Sequence, residues 1–111
     1  MVTNERTTNH VMDALGDQTR RDILALLRAA PRPVGDIASQ LPISRPAVSK
    51  HLRILERAGL VEHAPSGTRN IFRLRSAGFE AARTYLDSFW DEALASFQRI
   101  AEQRVEEHEP N

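Results

Sequence analysis

The side chains whose types and spacing most clearly indicate a function are seven bases within residues 44–75. That segment contains two acids, so its net charge is +5, whereas residues 76–111 contain three bases and eight acids and carry −5. Residues 1–43 are balanced, and the formal net charge of the chain is zero. A basic segment beside an acidic one can attract nucleic-acid phosphates even in a chain without net charge. The seven bases are Arg45, Lys50, Arg53, Arg57, Arg69, Arg73 and Arg75.

Side chains for metal or covalent chemistry are sparse. The chain has no cysteine, which excludes disulfides, thiolate metal sites and cysteine nucleophiles. The four histidines are dispersed, and Asp87 and Asp91 are one helical turn apart, which is more typical of a solvated helix face than of a ligand set. The chain has no phosphate-binding glycine loop and no nucleophile motif. We therefore expect no catalytic residues, no metal site and no cofactor.

The composition predicts a single domain that spans residues 1–111. Of the 111 residues, 41% are hydrophobic and 27% are charged, which is enough for a lean core. No apolar run approaches the ~18 residues of a membrane-spanning helix, and residues 1–10 lack the apolar stretch of a signal peptide. We expect a cytoplasmic protein without a membrane partner.

Residues 45–57 predict an amphipathic helix with one apolar and one basic face. At about 100° per residue, the four bases fall in a single arc together with Pro46, Ser49 and one acid, Glu56. Ser44 is a favourable N-cap, and Gly59 can end the helix in the left-handed conformation. Short residues near the N-terminal end of the basic face would allow a DNA groove to approach, and the longer bases beyond them could reach phosphates or guanine edges.

The patterns around this helix predict a mainly α fold with a small β-hairpin, the winged helix-turn-helix. Residues 34–40 predict a short helix, which a tight connection at Leu41-Pro42-Ile43 separates from the basic helix. Residues 60–64 and 70–75 predict the two strands of a hairpin, the wing, joined by a turn at 65–68. Residues 8–75 thus form the core and wing. Further helices are predicted at 8–15, 18–30 and 78–107.

Three stretches of the sequence resemble the ArsR family of bacterial repressors. Residues 14–24 (ALGDQTRRDIL) are similar to the family's second helix, residues 44–61 (SRPAVSKHLRILERAGLV) to its recognition helix, and residues 67–74 (GTRNIFRL) to its wing. The resemblance covers residues 12–74 and implies a repressor that binds double-stranded DNA. It also implies the roles of individual side chains: base and phosphate contacts for Arg45, Ser49, Lys50 and Arg53, and a wing contact for Arg69.

Together, the basic face, the wing and the resemblance predict one DNA-binding set. Many members of the family are metal sensors with thiolate ligands, or with carboxylate and histidine ligands, and the lack of cysteine favours a type that does not sense metal. A metal-responsive repressor that uses Asp87, Asp91 and His108 stays open as an alternative, and the inducer is unknown. The predicted DNA-binding residues are Arg45, Pro46, Ser49, Lys50, Arg53, Arg57, Gly67, Arg69 and Arg73.

The predicted last helix carries an apolar stripe that one subunit cannot cover. A helix over 78–107 would be about 45 Å long at about 1.5 Å per residue, which exceeds the size of the domain. We expect a homodimer in which this helix packs against its copy and against the first helix; an apolar ligand pocket lined by Phe89, Trp90 and Phe97 is the competing interpretation. The predicted interface residues are Val11, Met12, Leu15, Leu86, Phe89, Trp90, Ala93, Phe97 and Ile100.

The sequence thus predicts a sequence-specific transcriptional regulator, a repressor, that binds an inverted-repeat operator as a homodimer. A winged-helix domain used for protein association without DNA is the alternative from another class, but it calls for an apolar exposed face on the helix at 45–57, and that face is basic. His51 lies on the inner flank of this helix. It either contacts phosphate or senses a ligand, or it is hydrogen-bonded beneath the helix, and we favour the second interpretation.

Overall fold

In the computed structural model, the backbone is described for residues 2–108 and the side chains for residues 5–106. The helices are α1 (Val2–Leu15), α2 (Gln18–Ala29), α3 (Val34–Ser39), α4 (Arg45–Arg57) and α5 (Ser76–His108), and the strands are β1 (Arg32–Pro33), β2 (Val61–Ser66) and β3 (Arg69–Leu74). The order and packing of these elements are those of a winged helix-turn-helix, with α3 and α4 as the helix-turn-helix and the β2–β3 hairpin as the wing.

One hydrophobic core lies between the shorter helices and the sheet. α2, α3 and α4 each turn an apolar face inward, and Ile23, Ile37, Leu52 and Leu55 on those faces are almost completely inaccessible to solvent. Val61 adds a fully buried side chain from β2. Full burial of a side chain of this size stabilises the fold by about 1.5–3 kcal/mol. The core therefore fixes α4 relative to the wing.

Side-chain caps begin α2 and α4, as the sequence predicts. The carboxylate of Asp17 accepts a hydrogen bond from the backbone N–H of Arg20 at 3.0 Å, and the hydroxyl of Ser44 accepts one from Ala47 at 3.2 Å. The bond from the Arg20 amide is the main reason that the pKa of Asp17 is lowered from its ordinary value, because it favours the ionised carboxylate, and the charge of Arg20 acts in the same direction.

Two arginines join α2 to the end of α1. The guanidinium of Arg20 donates to the carbonyls of Ala14 at 2.9 Å and Asp13 at 3.1 Å, and that of Arg21 donates to the carbonyl of Leu15 at 2.6 Å. Carbonyls in the last turn of a helix have no donor within the helix. The arginines of the stretch at 14–24 therefore hold α2 against the end of α1.

The sheet contains a third strand that the sequence analysis did not predict. β3 lies in the middle, antiparallel to β2 on one edge and to β1 on the other, where Arg32 is opposite Phe72 and Pro33 is opposite Ile71. A strand of two residues that includes a proline has no alternation of polar and apolar residues. The pairing of β1 nevertheless holds the connection between α2 and α3 against the wing.

Most predicted boundaries lie within two residues of the observed ones, and the start of α1 and the length of the wing turn are the notable differences. α1 begins at Val2, six residues before the predicted start at residue 8. The wing turn has two residues, not four, because Pro65 and Ser66 still pair in β2, with Asn70 and Arg69 as their partners. The turn is therefore shorter and the wing strands are longer than predicted.

α5 extends beyond the core after its first turns. Ala82 is buried against the rest of the chain, but the large apolar side chains beyond it are exposed, and the described chain is 78 Å long as a result. No helix within residues 2–108 is long and apolar enough to cross a membrane. We use the term apolar stripe for the exposed side chains Leu86, Phe89, Trp90, Leu94, Phe97 and Ile100.

The interface residues predicted on α1 have different environments. Val11 is 0% exposed and belongs to the core of its own chain, so its assignment to a subunit interface is wrong: it has no surface for a partner. Met12 is exposed, and Leu15 is partly buried against the core. The periodicity of α1 identified an apolar face but could not separate the side that faces inward from the side that remains accessible.

Replacement of Asp17 tests the cap of α2. Asp17→Ala should lower the free energy of unfolding at pH 7 by about 1 kcal/mol. Because the folded pKa of Asp17 lies below its unfolded value, this stabilisation is present at neutral pH and is lost as the pH falls through the lowered pKa. Urea unfolding from pH 7 to pH 3 should therefore show the two curves converging. Asp17→Asn keeps an acceptor without the charge and serves as the control; equal stability of Asp17→Ala and the parent at pH 7 would contradict the role.

Candidate nucleic-acid interface

α4 is held at both ends and on one face, so its outer face is presented rigidly. The apolar side chains Val48, Leu52 and Leu55 are buried beneath it. At its C-terminal end the N–H of Leu60 donates to the carbonyl of Leu55 at 3.0 Å, and the N–H of Gly59 donates to Glu56 at 3.0 Å. Gly59 has φ +76°, which confirms the left-handed cap that the sequence predicts, and together with these two bonds it forms a Schellman arrangement.

The outer face of α4 carries the predicted bases. Ser49 is half-buried between the bases and the wing, and Pro46 lies in the first turn, where its missing N–H is not needed. The exposed bases on this helix are Arg45, Lys50, Arg53 and Arg57. Long cationic side chains along one exposed helix can bind phosphates and base edges in a major groove.

The wing is a regular hairpin with an exposed tip. Gly67 has φ +63°, while Thr68 has no positive φ, which is the pattern of a type II′ turn with glycine in its first central position. Arg69 follows directly and is exposed. A small turn followed by an arginine is suited to a close approach to a sugar-phosphate backbone, and the contact of Arg69 with DNA stays a prediction.

A groove of about 600 Å³ separates α4 from the wing. α4 contributes Ser49, Arg53, Glu56 and Arg57 to it, the wing contributes His63, Asn70 and Phe72, and Leu52 and Val34 form its floor. We call this the α4–wing groove. The structure thus brings three predicted DNA-binding residues together in one cleft, while the other six do not line it: Arg45, Pro46, Lys50, Gly67, Arg69 and Arg73.

The contact between Glu56 and His63 was not found from the sequence. Nδ1 of His63 lies 2.7 Å from a carboxylate oxygen of Glu56, and both side chains are 39% exposed. The imidazole also lies against the ring of Phe72, with ring centres 5.1 Å apart. Strand alternation could have indicated this, since His63 and Val61 occupy the same face of β2 and Val61 is buried.

Not every base of the segment at 44–75 is equally available to bind phosphate. Nε of Arg73 lies 3.3 Å from a carboxylate oxygen of Glu62 across the hairpin, and both side chains are largely exposed. An exposed pair of this kind contributes little to stability. It does reduce the net charge that the outer face of the wing presents, so Arg73 is a weaker candidate for phosphate binding than Arg69.

The side chain of His51 lies on the inner flank of α4 and is hydrogen-bonded there, as the favoured interpretation holds. Its Nδ1 is 3.4 Å from the guanidinium of Arg20 and 4.0 Å from the carboxylate of Asp17, and its side chain is 22% exposed. An arginine only donates, so Nδ1 accepts in this geometry. His51 is therefore a partly buried polar contact between α4 and the start of α2.

Within one chain, the described residues form neither a metal site nor an apolar ligand pocket. Among the residues that the structure describes, no three histidine or carboxylate side chains lie close enough to hold a metal ion. Asp87 is instead 3.8 Å from Arg83 on the next turn, and the side chain of His108 lies outside the described residues. Phe89, Trp90 and Phe97 are each more than half exposed, so they do not enclose a pocket within one chain.

Comparison with known proteins identifies the family. A family model described as a helix-turn-helix domain matches residues 15–64. The HTH-type transcriptional regulator Rv2034 of Mycobacterium tuberculosis is 44% identical over 95 residues, which cover 86% of this chain and 89% of the relative. The structure of an ArsR-like transcriptional regulator from Rhodococcus sp. RHA1 superimposes with a TM-score of 0.74 at 36% identity, covering 93% of this chain and 97% of that one. The chain belongs to the ArsR family. It is therefore a DNA-binding transcriptional regulator and not an enzyme.

Two other similar proteins bear on how an ArsR protein works. The transcriptional repressor SdpR of Bacillus subtilis is 33% identical over 81 residues, which cover 73% of this chain and 90% of the repressor. A homodimeric winged helix-turn-helix DNA-binding domain from Mycobacterium bovis superimposes with a TM-score of 0.65 at 29% identity, covering 99% of this chain and 92% of that domain. That domain is described as belonging to a possible ArsR-family transcriptional regulator.

The basic face of α4 predicts a sequence-dependent effect of Arg53. Arg53→Ala should weaken binding to the preferred duplex by about 1–3 kcal/mol and relax the preference at one base pair, because a guanidinium that reads a base edge carries both affinity and specificity. Fluorescence anisotropy with duplexes that vary at single positions measures both. Arg28→Ala removes an exposed arginine that belongs to neither α4 nor the wing, and its affinity should match the parent. Equal affinity of Arg53→Ala and the parent for every duplex would rule the assignment out.

Proposed function

We propose that this ArsR protein is a homodimeric repressor that binds an inverted-repeat operator with one α4 helix in each of two successive major grooves. The observation that carries the proposal is the rigid basic face of α4 beside the wing, on a chain whose α5 exposes the apolar stripe. In this arrangement Ser49, Lys50 and Arg53 read bases. The outer positions Arg45, Pro46, Arg57, Gly67, Arg69 and Arg73 lie against the sugar-phosphate backbone.

The shape of the apolar stripe supports a dimer. Leu86, Trp90, Ala93, Phe97 and Ile100 follow each other at alternating intervals of four and three residues, the spacing of a seam between two packed helices. Further apolar residues beside this seam make the stripe wider than the contact between two packed helices. The exposed part of α1 around Met12 and Leu15 would cover the remaining width, so that the interface is formed by α1 and α5 of both subunits.

The polar side of α5 agrees with this arrangement. Asp91, Glu92 and Glu102 lie opposite the stripe, so the dimer would keep acidic side chains away from its apolar seam. Carboxylates on α5 repel phosphate, which helps to turn the basic surface toward the duplex. The homodimeric state of the M. bovis domain supports the same assembly.

The repressor role rests on the relatives and on geometry. SdpR, which is similar over most of this chain, is named a transcriptional repressor. Occupation of a promoter by a dimer of two winged helices would block transcription directly. A regulator of chromosomal genes works in the cytoplasm, which agrees with the expectation from the sequence.

Selection of duplexes from a random pool tests the function. The proposal expects enrichment of an inverted repeat whose half-sites are centred about 34 Å apart, one turn of DNA, since two-fold symmetry of the protein requires two-fold symmetry of the site. Placement of that sequence over a reporter promoter should lower expression when the protein is produced. Enrichment of a single half-site, or a rise in expression, would contradict the dimeric repressor.

Substitution in the apolar stripe should dissociate the dimer. Phe97→Asp places a charge in the centre of the proposed seam, where burial of an unpaired charge is strongly unfavourable. Analytical ultracentrifugation at micromolar concentration should show monomers, and affinity for the full operator should fall at least tenfold. Arg99→Asp introduces the same side chain two residues away, on the polar side of α5, and should remain dimeric. Circular dichroism separates a folded monomer from an unfolded chain. A folded dimer of Phe97→Asp would disprove this interface.

We further propose that DNA binding does not depend on a transition metal, with a metal-responsive repressor as the alternative. The scattered carboxylates and histidines support the proposal. Addition of zinc, nickel or cobalt at low micromolar free concentration should leave operator affinity within twofold. Release of DNA by one equivalent of metal per subunit would establish the alternative, and Asp87→Asn and Asp91→Asn would then locate the site.

A further inference from the structure

We propose that Arg20 is a positioning residue for operator recognition: it joins α4 to the end of α1 and thereby fixes the angle at which each subunit of the dimer presents α4. The inference rests on the proposed function and deepens it. Arg20 belongs to α2 and lies outside the predicted DNA-binding set. The observation that carries the inference is the guanidinium of Arg20, whose three nitrogens contact two different helices.

Each nitrogen of the Arg20 guanidinium has an acceptor. Nε and Nη2 donate to the carbonyls of Ala14 and Asp13 in the last turn of α1, at 2.9 and 3.1 Å. Nη1 lies 3.4 Å from Nδ1 of His51, at the middle of α4. Because a guanidinium is planar and rigid, acceptors on the two helices are held in one fixed relation. A single side chain of α2 thus connects α1 to α4.

The connection is partly shielded from water, which makes its loss costly. Arg20 and His51 are both half-buried. The carboxylate of Asp17 completes the cluster, since it accepts from the backbone N–H of Arg20 at 3.0 Å and lies 4.0 Å from Nδ1 of His51. Removal of one partner leaves a half-buried donor or acceptor unsatisfied, and such a group destabilises the arrangement around it.

A second attachment lies at the C-terminal end of α4. There the N–H of Gly78 in α5 donates to the carbonyl of Gly59 at 2.8 Å. His51 and Gly59 are eight residues apart, which is about 12 Å along a helix axis. Burial of the apolar face of α4 is not directional, whereas hydrogen bonds are. Two directional attachments at this separation define the direction of α4, and one alone would let the helix pivot.

Both attachments lead to the proposed dimer interface. The carbonyls held by Arg20 directly follow Met12, which is exposed and belongs to the proposed interface, and Gly78 lies in the first turn of the helix that carries the apolar stripe. Within a dimer on DNA, binding of the second half-site is intramolecular, and its strength depends on whether the geometry permits both contacts at once. Loss of the Arg20 contact should therefore weaken binding to paired half-sites more than binding to a single one.

The experiment compares three duplexes at pH 8, where an ordinary imidazole is neutral and can accept a hydrogen bond. They are the inverted repeat selected above, a single half-site, and the inverted repeat with one base pair inserted between its half-sites. Arg20→Ala should bind the inverted repeat about tenfold more weakly than the parent and the single half-site within about twofold.

The duplex with the insertion measures the angle of α4 directly. One additional base pair rotates a half-site by about 35° relative to the other. The parent should therefore lose about tenfold in affinity on insertion, whereas Arg20→Ala should lose less than about threefold, because its α4 helices can pivot. A residue that only stabilises the fold would leave the spacing preference unchanged.

Matched variants separate the connection to α4 from the stability of α1 and α2. Arg21→Ala removes a guanidinium that donates to the carbonyl of Leu15 at 2.6 Å and, among the described residues, has no hydrogen bond to α4; it should match the parent on all three duplexes. His51→Leu removes the acceptor on α4 and should reproduce Arg20→Ala. His51→Gln restores an acceptor and should restore the spacing preference. The double variant of Arg20→Ala and His51→Leu should be no weaker than either single variant, since both remove the same contact.

The outcomes distinguish this inference from the proposed function. A parent protein that binds the inverted repeat no more tightly than a half-site would refute the proposed dimeric mode itself. A folded Arg20→Ala dimer with the affinity and spacing preference of the parent would overturn the role of Arg20 and leave the proposed function intact. Equal losses on the inverted repeat and the half-site, a similar loss in Arg21→Ala, or dissociation of Arg20→Ala into monomers in ultracentrifugation would overturn it as well. If circular dichroism shows that Arg20→Ala does not fold, His51→Leu, which keeps the bonds to α1, decides by the same measurements.

Discussion

The close contact between Gly59 and Gly78 is the constraint on which the rest of the structure depends. The N–H of Gly78, in the first turn of α5, donates to the carbonyl of Gly59, just after α4, at 2.8 Å. A Cβ atom at position 78 would lie 2.7 Å from the carbonyl oxygen of Ala58, which no side chain tolerates without displacement of the backbone. Gly59 itself has φ +76°, a conformation that glycine adopts without strain. Both positions thus require glycine, for different reasons.

This contact connects the two functional helices of the chain directly. α4 carries the basic face and α5 carries the apolar stripe, and the wing strands begin and end at the same place, where the N–H of Arg75 donates to the carbonyl of Leu60 at 2.9 Å. Backbone contacts between close-packed segments transmit displacement because they cannot be compressed. In the proposed dimer, the packing of two α5 helices would therefore set the distance and angle between the two α4 helices. The two-fold symmetry of the proposed α5 interface would therefore also determine the spacing between the two half-sites of the operator.

The parts of the fold that were predictable from the sequence are those with local causes. The caps at Asp17 and Ser44 and the end of α4 at Gly59 each depend on a few consecutive residues, and all three are confirmed. The parts that were missed depend on distant partners. β1 is a strand only because β3 is beside it, and Val11 is a core residue only because α1 packs on the rest of the chain with that side inward. Of the candidate site, the basic side chains were predictable from their spacing, but the contact of Glu56 with His63 required the angle between α4 and the wing.

Charge counting on the sequence overestimates what the surface offers to DNA. Residues 44–75 have a net charge of +5, yet Arg73 faces Glu62 on the outer side of the wing, and Glu56 lies within the basic face of α4. Apart from Arg75, which follows β3, the bases of this segment without a described ion pair are on α4 and at the wing tip, so the attraction is concentrated there rather than spread over the segment. The α4–wing groove, which lies between these two places, is lined by two arginines and one carboxylate. The electrostatic footprint that makes the chain a DNA-binding protein is thus set less by the number of its bases than by which acids the fold places beside them.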